Sequence, residues 1–149
     1  MIALIVLVVS FALFRLSGLA IPYMADWQFA LRAALGVMFL FTASAHWGKR
    51  RPDLLRMVPG ALGSADFWVT LSGIAEIFFA IGLQIPNLAI PAGALAGVML
   101  VCLFAGNAKA AREKLTIGGR PVPSLWPRLA IQVIFLAAIA AAMWPRPIQ

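Results

Sequence analysis

The chain has 149 residues, 63% hydrophobic and only 11% charged. A soluble domain of this size carries about 25% charged residues, so the composition excludes an ordinary water-facing domain and fits a single small domain of helices in lipid. The formal charge of +7 raises nucleic acid as a partner, but most of the basic residues sit in two short loops between apolar runs, which argues against it and matches the cytoplasmic positive bias of membrane proteins.

Residues 2–20, IALIVLVVSFALFRLSGLA, read as a first transmembrane helix, since about 20 apolar residues span a bilayer. A cleaved signal peptide is the rival reading; the missing basic start and the interruption at Arg15 weigh against it. Pro22 ends this helix and Asp26 lies in the short connection. Residues 28–47 form a second span. On it Arg32, Gly36, Phe39, Ala43 and His46 recur every three or four positions and therefore share one face. Residues 48–66 make the first basic loop, with Lys49, Arg50, Arg51 and Arg56. Within that loop Pro52 and Pro59 bracket a short amphipathic piece that suits the headgroup region. Ser64 and Asp66 offer a cap and a first-turn acid for the next helix.

The third span, residues 67–85, carries one carboxylate, Glu76, near its middle. Ser72, Gly73, Glu76 and Ala80 share a face whose small residues let a neighbouring backbone approach. Residues 88–106 form the fourth span, with Pro91 in its first turn and a Gly93/Gly97 pair suited to tight packing. Asn107 follows. The second basic loop, 107–125, holds Lys109, Arg112, Lys114 and Arg120, and Gly118-Gly119 and the Pro121/Pro123 pair mark its irregular half. Ser124 can cap a fifth span, 126–144, which has Trp126 and Trp144 at its ends as interfacial anchors.

The two basic loops hold four Lys or Arg each, the other connections hold none, and the tail holds only Arg146. The positive-inside rule puts both loops in the cytoplasm, the N-terminus inside and the C-terminus outside. The fold class is therefore all-α: a polytopic membrane bundle of four core helices plus an extra N-terminal transmembrane helix.

An isolated charge in hydrocarbon costs several kcal/mol, so Glu76 needs a partner, a proton or a wet pocket. At about 1.5 Å rise per residue, Glu76 lies about 14 Å deep and Arg32 roughly 21 Å above His46. Arg15 reaches a level similar to that of Arg32. Glu76, Arg15 and Arg32 then fall in the middle and outer half, with His46, Asn107 and Gln132 toward the cytoplasmic side. Facing inward, they form one polar column. Two readings stay open. Such a column can simply lock helices together, with the arginines snorkelling. Alternatively, two guanidinium groups against one carboxylate leave a positive excess suited to an anionic or carbonyl-bearing ligand, for which the planar fork of Arg is well made. A lone histidine at a helix end is more often a capping or interfacial residue than a ligand, although His46 is the one side chain here with an ordinary pKa near neutrality. A proton path to Glu76 would have to bridge a depth gap of about 12 Å through Gln132 or water. One His, one distant Glu and the single thiol of Cys102 make no metal site and no disulfide.

The order Arg32-xxx-Gly36-xx-Phe39, Ala43-Ser-Ala-His46-Trp47, Val58-Pro59, Ser72-Gly73-xx-Glu76, Gly82-Leu83, Asn107 and Arg128-xxx-Gln132 resembles the DoxX-like membrane proteins over residues 28–144. The resemblance implies a compact four-helix bundle in the bacterial cytoplasmic membrane. Some relatives of that kind are the small subunit of a thiosulfate:quinone oxidoreductase, some belong to thiol-redox assemblies, and distant ones are receptor-assembly chaperones. The first helix with Arg15 is an addition to that pattern, and no cysteine pair is present for thiol exchange.

The expectation is a small membrane accessory subunit of a quinone-linked redox system. Its ligand pocket would be lined by Arg32, His46 and Glu76, with Arg15, Asn107 and Gln132 nearby. A quinone is the cofactor suggested, and none is specified by the residues themselves. The alternative is an assembly protein whose polar core is purely structural and whose partner is another protein or a second copy. A small transporter is a third reading, against which stands the lack of an inverted repeat.

Overall fold

The computed structural model describes residues 2–144. Arg146 and the tail assigned to the outside lie beyond the described residues. Among these residues there are six α-helices: α1 (Ile2–Ser17), α2 (Trp27–Ser44), α3 (Arg51–Met57), α4 (Ala65–Gly82), α5 (Pro86–Arg112) and α6 (Leu125–Met143). Among the described residues, α2, α4, α5 and α6 are long and apolar enough to cross a membrane.

The helix ends follow local chemistry. Asp26 caps α2 by accepting from the Gln28 amide at 2.9 Å, and Ser64 caps α4 by accepting from Phe67. Ser124 stands at the N-cap of α6 without making a side-chain capping bond. The expected first span over 2–20 stops at Ser17, because the Ser17 hydroxyl turns back onto the Phe14 carbonyl at 2.8 Å and Gly18 is a poor helix former. Its 16 residues rise about 24 Å, short of the roughly 30 Å hydrocarbon core.

The fourth span is corrected in the other direction. α5 begins at Pro86 and runs 27 residues, so Asn107, Lys109 and Arg112 are helical rather than in a loop. Pro86 takes the first-turn position expected of Pro91, which lies in the helix interior and forgoes one backbone bond. The irregular half of the second basic loop is a hairpin, β1 (Thr116–Ile117) against β2 (Arg120–Pro121). Gly118 and Gly119 both have positive φ, 57° and 74°, which a two-residue turn matching strand twist requires.

α2 packs on α4 and α6, α4 on α5, and α5 on α6, closing four helices into a ring with α1 laid against α2. The centre is filled by Leu35, Met38 and Phe39 of α2, Phe79, Ala80 and Leu83 from α4 and its end, Ala96 of α5 and Ile139 of α6. Alanine at Ala34, Ala80, Ala96 and Ala142 lets the backbones approach, as membrane helices need when lipid supplies no hydrophobic drive. Phe39 and Phe79 meet edge to face, 5.9 Å between centroids. Large apolar side chains such as Leu13, Phe78, Leu95 and Val133 point outward, the arrangement a lipid solvent stabilises.

The first basic loop, the end of α5 and the hairpin that follows it meet at one end of the bundle. Lys109 Nζ donates to the carbonyls of Arg56 (2.7 Å) and Val58 (2.8 Å), and Arg56 donates to Thr116 O at 3.1 Å. The Gly118 amide donates to Asp53 Oδ2 at 2.7 Å. That bond, joined by the Arg56 guanidinium, holds the Asp53 carboxyl below the usual carboxylate range.

Candidate functional site

The antiparallel register of α2 and α4 decides which polar groups meet. Gln84 Nε2 donates to the Arg32 carbonyl at 3.0 Å, and the Val69 carbonyl is 2.6 Å from His46 Nδ1. Gly36 lies level with Ala80. The same register puts Glu76 beside Phe39 and leaves Arg32 two turns, about 11 Å, further along.

His46 and Glu76 are both buried, and His46 Nε2 lies 3.5 Å from Glu76 Oε2. The expected depth gap of about 12 Å is bridged by side-chain direction. A helical side chain leans toward its own N-terminus, so the Glu76 carboxyl comes down α4 toward the loop end. The imidazole comes up from the turn after α2. His46 is therefore a partner of the buried acid, not an interfacial cap. A carbonyl only accepts, so Nδ1 carries a hydrogen and donates to Val69. Nε2 is the nitrogen left to face the carboxylate. The Ser72 hydroxyl closes this corner, 2.8 Å from Trp68 O and 3.4 Å from His46 Nδ1. Glu76 Oε2 is buried, and among the described residues its one polar neighbour is His46 Nε2 at that long 3.5 Å, with no closer hydrogen bond.

The imidazole is held from two sides. A Cβ on Gly73 would stand 2.7 Å from His46 Cβ, so only glycine leaves room there. Arg51, read from the sequence as one of the loop charges, donates to the His46 carbonyl at 2.8 Å. It also reaches Asp66 Oδ1 at 2.9 Å and Thr70 Oγ1 at 3.0 Å. Nothing in the spacing of Arg51 distinguishes it from Lys49 or Arg50.

The remaining candidates go elsewhere, so the column does not form one pocket. Among the described residues no ion pair joins Arg32 or Arg15 to Glu76. Arg15 is exposed and donates to the Ala25 carbonyl, tying α1 to the short turn that precedes α2. Asn107 Oδ1 accepts from Arg128 at 2.8 Å, and Gln132 Nε2 donates to Leu100 O at 2.5 Å, both joining α5 to α6. Gln28, not singled out from the sequence, is buried and donates to Ala141 O (3.2 Å) and Trp144 O (2.8 Å). Cys102 is exposed. It lines an apolar groove of about 530 Å³ between α5 and α6, with Gly93, Gly97, Leu136 and Met143. Among the described residues no three His, Cys, Asp or Glu gather to hold a metal ion.

The ring of apolar helices and the buried His–Glu pair together make an all-α bundle, long and apolar enough to span a membrane, with one fully buried ionisable pair among the described residues. The chain belongs to the family described as Domain of unknown function (DUF8561), whose profile matches residues 35–144. That match takes in His46, Glu76, Asn107, Arg128 and Gln132 and leaves out Arg15 and Arg32. No curated protein and no solved structure matches the chain.

Proposed function

We propose that this protein is a small accessory subunit of a quinone-linked redox system in the bacterial cytoplasmic membrane, with its ligand site at His46 and Glu76. The observation that carries the reading is the carboxylate oxygen Glu76 Oε2, buried and met only by the long 3.5 Å approach of His46 Nε2. A buried acceptor left wholly unsatisfied costs about 1–3 kcal/mol; the His46 contact offsets part of that here, and a ligand hydroxyl would offset more. The ligand class is a ring bearing hydroxyl or carbonyl oxygens on an apolar body, able to enter from lipid. A quinone is named because of the DoxX-like resemblance. The basic loops 48–66 and 107–125 are assigned to the cytoplasmic side on the positive-inside rule.

The test is mass spectrometry of the small molecules retained when the protein is purified in native lipid. Wild type is expected to carry a prenylated ring compound that Glu76→Gln loses while remaining folded. Absence of such a compound from wild type removes the proposal.

The second reading is an assembly protein, which binds a partner protein or a second copy and no small ligand. The observation favouring it is that Gln28, Gln84, Gln132, Arg128 and Lys109 all end on groups of a neighbouring segment, as mortar between helices does. Under it Glu76→Gln lowers thermal stability and alters nothing else, and a protein copurifies instead of a small molecule.

A further inference from the structure

The geometry around His46 constrains where protons can sit, and this deepens the ligand-site reading above, on which it rests. Nδ1 faces a backbone carbonyl at 2.6 Å, so it is a donor in every charge state of the ring. Only Nε2 can gain or lose a proton, and what it faces at 3.5 Å is a carboxylate oxygen. Without a hydrogen between them, a nitrogen lone pair and a carboxylate would repel inside a low-dielectric bundle. With one, the pair is neutral overall. The charges bearing on the imidazole are Glu76 on α4 and Arg51 on α3. Arg51 is itself paired with Asp66, at the start of α4.

We infer that His46 and Glu76 form a one-proton exchange site for a hydroxyl-bearing ligand, with Nδ1 locked on the Val69 carbonyl and Arg51 as the positioning residue. The exchange moves a single proton and no electrons. In the proton-depleted state the imidazole is neutral, the carboxylate is charged, and the pair carries −1. A ligand hydroxyl at Glu76 gives its proton through the carboxylate to Nε2. Its O–H bond breaks, an N–H bond forms, the ligand keeps the electron pair as an oxyanion, and the pair becomes neutral. The reverse step protonates a ligand oxyanion. Arg51 touches neither reacting atom. By bonding the His46 carbonyl, Asp66 and Thr70 together, it fixes the height of the ring along α4.

His46 is the sole histidine of the chain, so histidine labelled with nitrogen-15 reports this site alone. The experiment is a nitrogen NMR titration of the protein in lipid nanodiscs, with no ligand added. Nδ1 is expected to stay protonated throughout. Nε2 is expected to lose its proton in Glu76→Gln at a pH at least one unit lower than in wild type, a tenfold loss of proton affinity. Glu76→Asp, which keeps the charge on a shorter stem, should fall between and serves if the glutamine variant does not fold. In an Arg51→Gln background the effect of Glu76→Gln should shrink to half or less, and Arg51→Lys should restore part of it. Equal titrations of wild type and both Glu76 variants, or a bare Nδ1 at any pH, overturn the exchange site. An undiminished Glu76 effect without Arg51 overturns the positioning role. Since the readout needs no ligand, a failed search for a quinone leaves this result standing, and the converse also holds.

Discussion

Gly73 of α4 sits directly against His46: a Cβ there would come within 2.7 Å of His46 Cβ, 2.8 Å of Cγ and 2.9 Å of the Trp47 ring. His46 cannot yield freely, because the atoms met are its Cβ and Cγ and its Nδ1 is fixed on Val69. Gly73→Ala should push the ring off α4 at a cost of about 1–3 kcal/mol, the usual range for overpacking a filled site. The expected outcome is a lower unfolding midpoint in detergent together with a changed nitrogen spectrum of His46. A stable variant with an unaltered His46 signal would contradict the close contact.

Asn107 and Arg128 join α5 to α6 through one hydrogen bond of 2.8 Å, and Arg128 Nε is already buried without a partner. Asn107→Ala removes the acceptor and strands more of a half-buried cation. The expected loss is about 1–3 kcal/mol, whereas Asn107→Asp should retain or improve the contact. Thermal unfolding of the two variants in the same detergent separates them by sign.

Gln28 clasps the last turn of α6 from the first turn of α2. Interhelical hydrogen bonds in membranes average about 0.6 kcal/mol, so Gln28→Leu should leave global stability almost unchanged. It should instead loosen the α6 end, seen as faster amide exchange around Ala141 to Trp144 with no change at Gln132.

The contact between the two basic loops is the part expected to respond to acid. Asp53 is held below its ordinary range first by the Gly118 amide and then by Arg56, so its proton binds less readily in the folded state than in the unfolded one. The stabilisation is complete above the ordinary Asp value of about 3.9 and fades as pH falls below it, through the lowered folded value. Exchange of the Gly118 amide should therefore be flat from neutral pH to about pH 5, after correction for intrinsic rates, and should accelerate only below about pH 4. Asp53→Asn should show the faster exchange at every pH.

Much of the bundle was legible without coordinates because its causes are local. Apolar runs of bilayer length, Asp26 and Ser64 at helix starts and the clustering of basic residues each follow from the chain over a few turns. The boundaries that moved did so for nearly local reasons. Ser17 and Gly18 cut α1 short, and Pro86 rather than Pro91 opened α5. The hairpin signal was also present in Gly118-Gly119, but two-residue strands are too brief to stand out by alternation.

The site is a different matter. The sequence by itself determined that one acid, Glu76, is embedded in an apolar span and must be answered there. Which group answers it was settled only by the tertiary structure, through the register of α4 on α2. That register set Arg32 opposite Gln84 and brought His46 up from the turn. Periodicity places residues on a face of one helix, but sliding a neighbouring helix by two turns exchanges a guanidinium for an imidazole without altering either periodicity. The close approach that sets the register depends on the missing side chain of Gly73 and on Arg51 holding a backbone carbonyl, contacts between segments that no spacing along the chain records.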